Sequence, residues 1–232
     1  MEKVADRSIK EAIKDSLKIL PGYLVLGIGF GVLLKTKGYG LMHAFAMSVF
    51  IYAGSMQYAA VDLLASGASL ISCFLMSIMV NIRHLFYGVG MLERYRNIRR
   101  HRIYDIFALT DETFSLVCSK DTEDLDPDRY YFCLSLLNHI YWIAGSLIGS
   151  LFGDVLPFNS EGIGFSMTAL FLTIVVGQWE STKDHLPVLL SFVISILCLV
   201  LFGREGFLLP AMVGIVLMSW ILKKIRGGQE DA

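Results

Sequence analysis

Asn81, Arg83 and His84 fall within four consecutive positions of a 26-residue run, 67–92, that is otherwise apolar apart from a few hydroxyls. An arginine fork binds a carboxylate through paired N–H donors, and an amide offers both a donor and an acceptor. An imidazole exchanges a proton near neutrality. A charge at the centre of a bilayer costs at least about 3 kcal/mol on insertion scales, so such residues are retained where they face a polar interior. Asp111 and Glu112 stand side by side in the mostly apolar stretch 103–119, and Gly54, Ser55, Gln57 and Tyr58 interrupt the apolar block 41–65. The combination suits a small zwitterion. Arg83 or the free N–H groups at the start of a half-helix would take a carboxylate, while Asp111, Gln57 and Asn81 would take an ammonium. Asp111, Glu112, His84 and His139 are the candidate carriers of a coupling proton. The plainer readings are that Arg83 pins helices together or snorkels to an interface, and that each histidine bonds one helix to another.

Chemistry of other kinds finds no motif. HExxH and GxSxG are absent, and Gly29-x-Gly31 has no strand–turn–helix context with a following lysine. The four cysteines lie in apolar blocks without a CxxC pair, so neither a disulfide framework nor a metal site is expected. No cofactor is implied. A formal net charge of −1 offers no reason to expect a nucleic-acid partner.

The elements that must position these residues are long apolar blocks: 17–34, 41–65, 67–92, 130–153, 162–180, 187–203 and 206–222. With 55% hydrophobic residues and a mean hydropathy of +0.59, the chain reads as an all-α, multi-pass helical membrane protein. About seven transmembrane or re-entrant segments are expected, within a range of about six to eight, since a crossing takes about 20 residues. The first 16 residues alternate basic and apolar positions, as in an amphipathic lead-in helix at a membrane surface. Five arginines in 93–105 and the basic Lys223–Arg226 stretch place both termini and that loop in the cytoplasm. The acidic 119–129 loop would then face outward, with 103–119 as the crossing between the two loops. In a soluble setting "LTDET" would instead be a helix N-cap with acidic residues at the positive dipole end. An even number of crossings must lie between residues 18 and 93. Either 41–65 enters and returns as a re-entrant pair broken at Ala53-Gly54-Ser55, or 67–92 is itself broken at the Asn81–His84 knot.

The expected organisation is one transporter domain over 1–232. It comprises the lead-in (1–16), a first half (17–92), a basic loop, short polar span and acidic loop (93–129), a second half (130–223) and a tail (224–232). A shift of roughly 121 residues superposes Gly27-x-x-x-Gly31 on Gly149-x-x-x-Gly153, Gln57-Tyr58 on Gln178-Trp179 and Arg83 on Arg204, suggesting two similar, inverted halves. Gln178, Trp179 and Arg204 are site candidates on that ground alone.

"LPGYLVLGIGFGVL" (20–33), "MSVFIYAGSMQYAAVDLL" (47–64) and "VNIRHLFYG" (80–88) followed by "ALTDETFSL" (108–116) resemble, in order and spacing, the AzlC family. These are the large subunits of bacterial branched-chain amino-acid exporters. The resemblance implies export of valine, leucine, isoleucine or methionine across the bacterial cytoplasmic membrane. It also implies a small AzlD-type membrane partner and the proton-motive force as energy source. A channel or scaffold subunit, with the polar knots as packing devices, is the alternative.

Overall fold

The computed structural model describes residues 2–96, 98, 100–153, 172, 175–176, 179–180 and 184–230. They form two units, Met1–Ile174 and Val175–Ala232. Helix and loop account for all the described residues.

The frame of the first unit is a pair of long helices, α1 (Glu2–Thr36) and α8 (Pro127–Phe152). Both are long and apolar enough to cross a membrane. Asp126 caps α8, its side chain accepting from the Arg129 N–H at 3.4 Å, and Pro127 takes the first turn, where its missing N–H costs nothing. The two helices run in the same direction. Asp126 N donates to Ser8 Oγ at one end (2.8 Å), Tyr23 and Trp142 meet edge-on at mid-length (5.6 Å), and Gly153 packs beside Val32 at the other end. Close approach rests on Gly27 and Gly31 facing Gly145 and Gly149. A Cβ on Gly31 would be driven into the Ser146 carbonyl oxygen, and one on Gly149 into that of Ile28. This is the small-residue seam by which helices associate in lipid.

Between these two helices the chain crosses once and folds back twice. From the distal end, α2 (Leu41–Phe50) runs inward, breaks at 51–53, and α3 (Gly54–Ala65) returns. The return is fixed by the Tyr39 hydroxyl, which donates to the Leu64 carbonyl at 3.1 Å. Next α4 (Leu70–Asn81) and α5 (Arg83–Tyr95), bent by 44° at Ile82, cross as one broken span to the proximal end. There Arg94 donates to the carbonyls of Lys120 and Cys118 at 3.1 and 3.2 Å. Then α6 (Arg102–Phe107) runs inward, breaks at 108–110, and α7 (Asp111–Ser119) returns to the same end. The first sequence alternative resolves the parity: the block 41–65 is a re-entrant pair, whereas 67–92, though bent at its polar knot, still crosses. Two crossings lie between residues 18 and 93.

Two expectations are corrected. The stretch 103–119 does not cross, because Thr110 caps a new helix at its centre and turns the chain back. Its Oγ1 accepts from the Thr113 N–H at 3.3 Å. The 119–129 loop consequently lies at the same end as the N-terminus, where Lys120 Nζ meets Glu11 Oε2 at 2.7 Å and Asp15 Oδ2 at 2.8 Å. Burial pulls the Lys120 ammonium toward its neutral form, but the hydrogen bonds to Asp15 and Glu11 outweigh it and raise the pKa. The lead-in is continuous with the first span and buries Ser8, Ala12 and Asp15 against this loop and the start of α8. Cysteines at positions 7 and 124, whose native side chains pair at 3.7 Å, should crosslink on oxidation and react with an impermeant maleimide from the same side. Labelling from opposite sides would refute this topology.

In the second unit, α9 (Leu186–Gly206) packs on α10 (Leu208–Glu230), with Gly214 beneath the Ile194 side chain. Gly203 breaks the helical path at φ 71°, in the left-handed region that glycine enters without a Cβ penalty. The segment 186–203 is long and apolar enough to span.

Candidate functional site

The three interruptions meet. The starts of α3, α5 and α7 all border one small cavity between α1 and α8, of about 40 Å³. A helix start carries the positive end of the helix dipole, so a cavity bordered by several favours an anionic group. At α7 one of the N–H groups, that of Thr113, is served by Thr110. At α3 the capping position is Ala53, which has no side-chain acceptor, and Gly54 and Ser55 open directly onto the cavity. Tyr52, the residue that ends the α2 turn, is held at φ 40° with its ring buried and stacked on His139 at 4.1 Å. A non-glycine residue there is strained, and such strain concentrates at binding sites.

Arg83 bridges two of these helix starts. One guanidinium nitrogen lies 2.6 Å from Asp111 Oδ2 and the other donates to Ser55 Oγ at 2.8 Å. Both members of the ion pair are mostly buried, which makes the pair costly to break from either side. Deeper, Tyr23 on α1 donates to Glu112 Oε2 at 2.8 Å and shares a 2.6 Å hydrogen bond with Thr110 Oγ1. The apolar part of the wall is Leu26, Tyr58 and Trp142.

One turn of α8 holds the half-helices in place. Asn138 Nδ2 donates to Thr113 Oγ1 on α7 at 3.1 Å, and Trp142 Nε1 donates to Gln57 Oε1 on α3 at 2.8 Å. His139 uses both ring nitrogens. Nε2 lies 3.0 Å from the Ser48 carbonyl on α2 and Nδ1 lies 2.9 Å from the Tyr104 hydroxyl on α6. Since a carbonyl only accepts, Nε2 carries a proton, and in the neutral ring Nδ1 accepts from Tyr104.

Of the residues expected from sequence, Arg83, Ser55, Gly54, Tyr58, Asp111, Glu112 and His84 line the cavity. Gln57 does not. It is fully buried behind the cavity wall, between Trp142 and Ser48 Oγ, which accepts from its Nε2 at 3.3 Å. Asn81 borders a separate apolar groove along α5, with His84 shared between groove and cavity. His139 lies behind Tyr52 as the link between the two re-entrant pairs. Trp179 is exposed and stacks on His185 at 4.0 Å, within the second unit. Gln178 and the Arg204 side chain lie outside the described residues. Tyr23, Tyr52, Thr110 and Trp142 were not singled out as site residues in the sequence. Thr110 carried a signal, as the capping residue before Asp111-Glu112.

Replacing Trp142 by Phe keeps most of the packing but removes the donor to Gln57 Oε1. An unsatisfied buried amide costs about 1–3 kcal/mol. A fall of a few degrees in thermal midpoint is expected for the variant, measured by fluorescence-detected gel filtration after heating. An unchanged midpoint would mean the bond carries no weight.

The family model described as AzlC protein matches residues 18–156. A Bacillus subtilis (strain 168) relative named branched-chain amino acid transport protein AzlC is 37% identical over 218 residues, covering 94% of this chain and 86% of its own. A Helicobacter pylori (strain 26695) membrane protein is 42% identical over 219 residues, 94% of this chain and 96% of its own. The Escherichia coli (strain K12) inner membrane protein YgaZ is 26% identical over 229 residues, 95% of this chain and 93% of its own. No solved structure matches.

Proposed function

The chain belongs to the AzlC family of membrane proteins, and on that premise we propose that it is a secondary transporter exporting branched-chain amino acids. Valine, leucine and isoleucine, with methionine as a related substrate, are the cargo. The observation that carries this reading is the convergence of three helix starts and a buried Arg83–Asp111 pair on one aromatic-walled cavity. A zwitterion can replace both halves of that pair at once. Its carboxylate takes Arg83, the Ser55 hydroxyl and the uncapped N–H groups of α3, while its ammonium takes Asp111. The charges exchange partners, so the buried site never holds an unpaired one. The apolar side chain then rests against Leu26, Tyr58 and Trp142. Asp111 or Glu112 carries the coupling proton in the cavity.

The proximal end, with the N-terminus and the arginines of the 93–105 loop, faces the cytoplasm of the bacterial inner membrane under the positive-inside rule. The 119–129 loop shares that side. A small AzlD-type membrane subunit completes the exporter, and the proton-motive force drives it.

The test is export of labelled valine, leucine and isoleucine from dipeptide-loaded cells, with this chain alone, its small partner alone and both together, each with and without an uncoupler. Saturable export that needs both chains and collapses with the uncoupler is expected. Non-saturating, uncoupler-insensitive flux would make the protein a channel. Wild-type levels of export from the small partner alone would make this chain a scaffold.

A further inference from the structure

Asp105, on α6, is fully buried, and neither carboxylate oxygen has a hydrogen-bond partner among the described residues. Two oxygens from other elements share that condition, the buried Tyr95 hydroxyl on α5 and Asp128 Oδ1 on α8. Asp105 lies within electrostatic reach of both. The cluster sits near the proximal end and contributes nothing to the lining of the central cavity.

The neighbouring charges and titratable groups are engaged elsewhere or turned away. Arg94 on α5 donates to the Lys120 and Cys118 carbonyls, and Lys120 is held by Glu11 and Asp15 of α1. On α6, Arg102 is exposed and Tyr104 bonds His139. On α8, Arg129 pairs with Asp126 at 3.3 Å, the Tyr131 ring packs on Tyr95, and the Cys133 thiol is half-buried. Cys118 on α7 is exposed. No described cation pairs with Asp105.

A buried carboxylate left ionised without a partner would cost many kcal/mol, whereas binding a proton removes the charge. A proton on Asp105 also removes its repulsion with the Asp128 carboxylate. We propose that Asp105, with Asp128 and Tyr95, forms a second proton-binding site, separate from the amino-acid cavity and loaded in this conformation. The proton resides on an Asp105 oxygen, with the Asp128 carboxylate and the Tyr95 hydroxyl nearby but outside hydrogen-bond contact in this conformation. Asp128 is partly exposed and leads to water at the proximal end. When α6 shifts and the cluster is wetted, the proton leaves through Asp128, and Asp105 is left as a hydrated carboxylate. The link to export rests on the transport reading above, but occupancy by a proton does not.

Infrared difference spectroscopy of the full-length protein in liposomes tests the site. At neutral pH the wild type should show a protonated-carboxyl C=O band that is lost in Asp105→Asn and shifted in Tyr95→Phe. Identical carboxyl regions in wild type and Asp105→Asn would overturn the proposal. So would a band that Na⁺ abolishes at constant pH, which would make the cluster a monovalent-cation site. Should Asp105→Asn fail to fold, ¹³C-aspartate-labelled wild type and Tyr95→Phe decide instead, and an unmoved band refutes the assignment. In liposomes that also hold the small AzlD-type partner, uncoupler-sensitive leucine flux should fall roughly tenfold or more in Asp105→Asn. The band without any amino-acid flux in wild type would sink the transport reading and leave the proton site standing. Flux without the band would do the reverse.

Discussion

Arg83→Lys should reduce export by about 100-fold or more, although the positive charge is kept. The guanidinium reaches Asp111 on α7 and Ser55 on α3 through two different nitrogens, and a single ammonium cannot reproduce that fork. Losing one charge-assisted hydrogen bond costs about 1.5–3 kcal/mol, and in this site the lost contact is also one that receives the substrate. Arg83→Ala goes further, leaving Asp111 as an uncompensated buried charge and costing about 3–5 kcal/mol of stability. The neutral pair Arg83→Gln with Asp111→Asn should recover much of that stability and none of the transport. This contrast separates a structural pin from a binding group. Full export by the lysine variant would show that Arg83 serves only as a pin.

Gly149→Ala and Gly31→Ala are expected to prevent assembly of the frame itself. A methyl at either position meets the backbone of the facing helix, which cannot rotate away as a side chain can. Overpacking commonly costs about 1–3 kcal/mol, and a backbone clash belongs at or above the upper end of that range. Gly88→Ala is the control, because nothing lies within 4 Å of its added Cβ. Yield and monodispersity in gel filtration should collapse for the first two variants and hold for the third. Normal behaviour of Gly149→Ala would show that α1 and α8 do not pack as described.

Where charge met hydrocarbon, the architecture was readable from residues alone. Arg83 and Asp111 announced themselves because an apolar run tolerates such groups only when they face each other or a cavity. Ala53-Gly54-Ser55 marked the turn of a re-entrant pair. The aromatic walls were not legible in the same way, because Tyr23 and Trp142 look like any large residue in an apolar helix. Their polar edges matter only once Glu112 and Gln57 are seen against them. The 119–129 loop was misplaced for a related reason. Charge counting along the chain treats Lys120 as one minor positive, whereas in space it neutralises two carboxylates of α1 more than a hundred residues away. His139 shows the same limit. Its two hydrogen bonds join α2 to α6, a role that no local pattern around Asn138-His139 displays.

The central claim is that the amino acid sits where the hairpin tips meet. Ser55→Cys places a thiol at that point, one side chain from Arg83. In proteoliposomes, saturating leucine should slow its modification by a small charged methanethiosulfonate at least roughly tenfold, and glutamate should not, since the buried site pairs only one carboxylate. Unchanged modification with leucine, in a variant that still exports leucine, would place the substrate elsewhere.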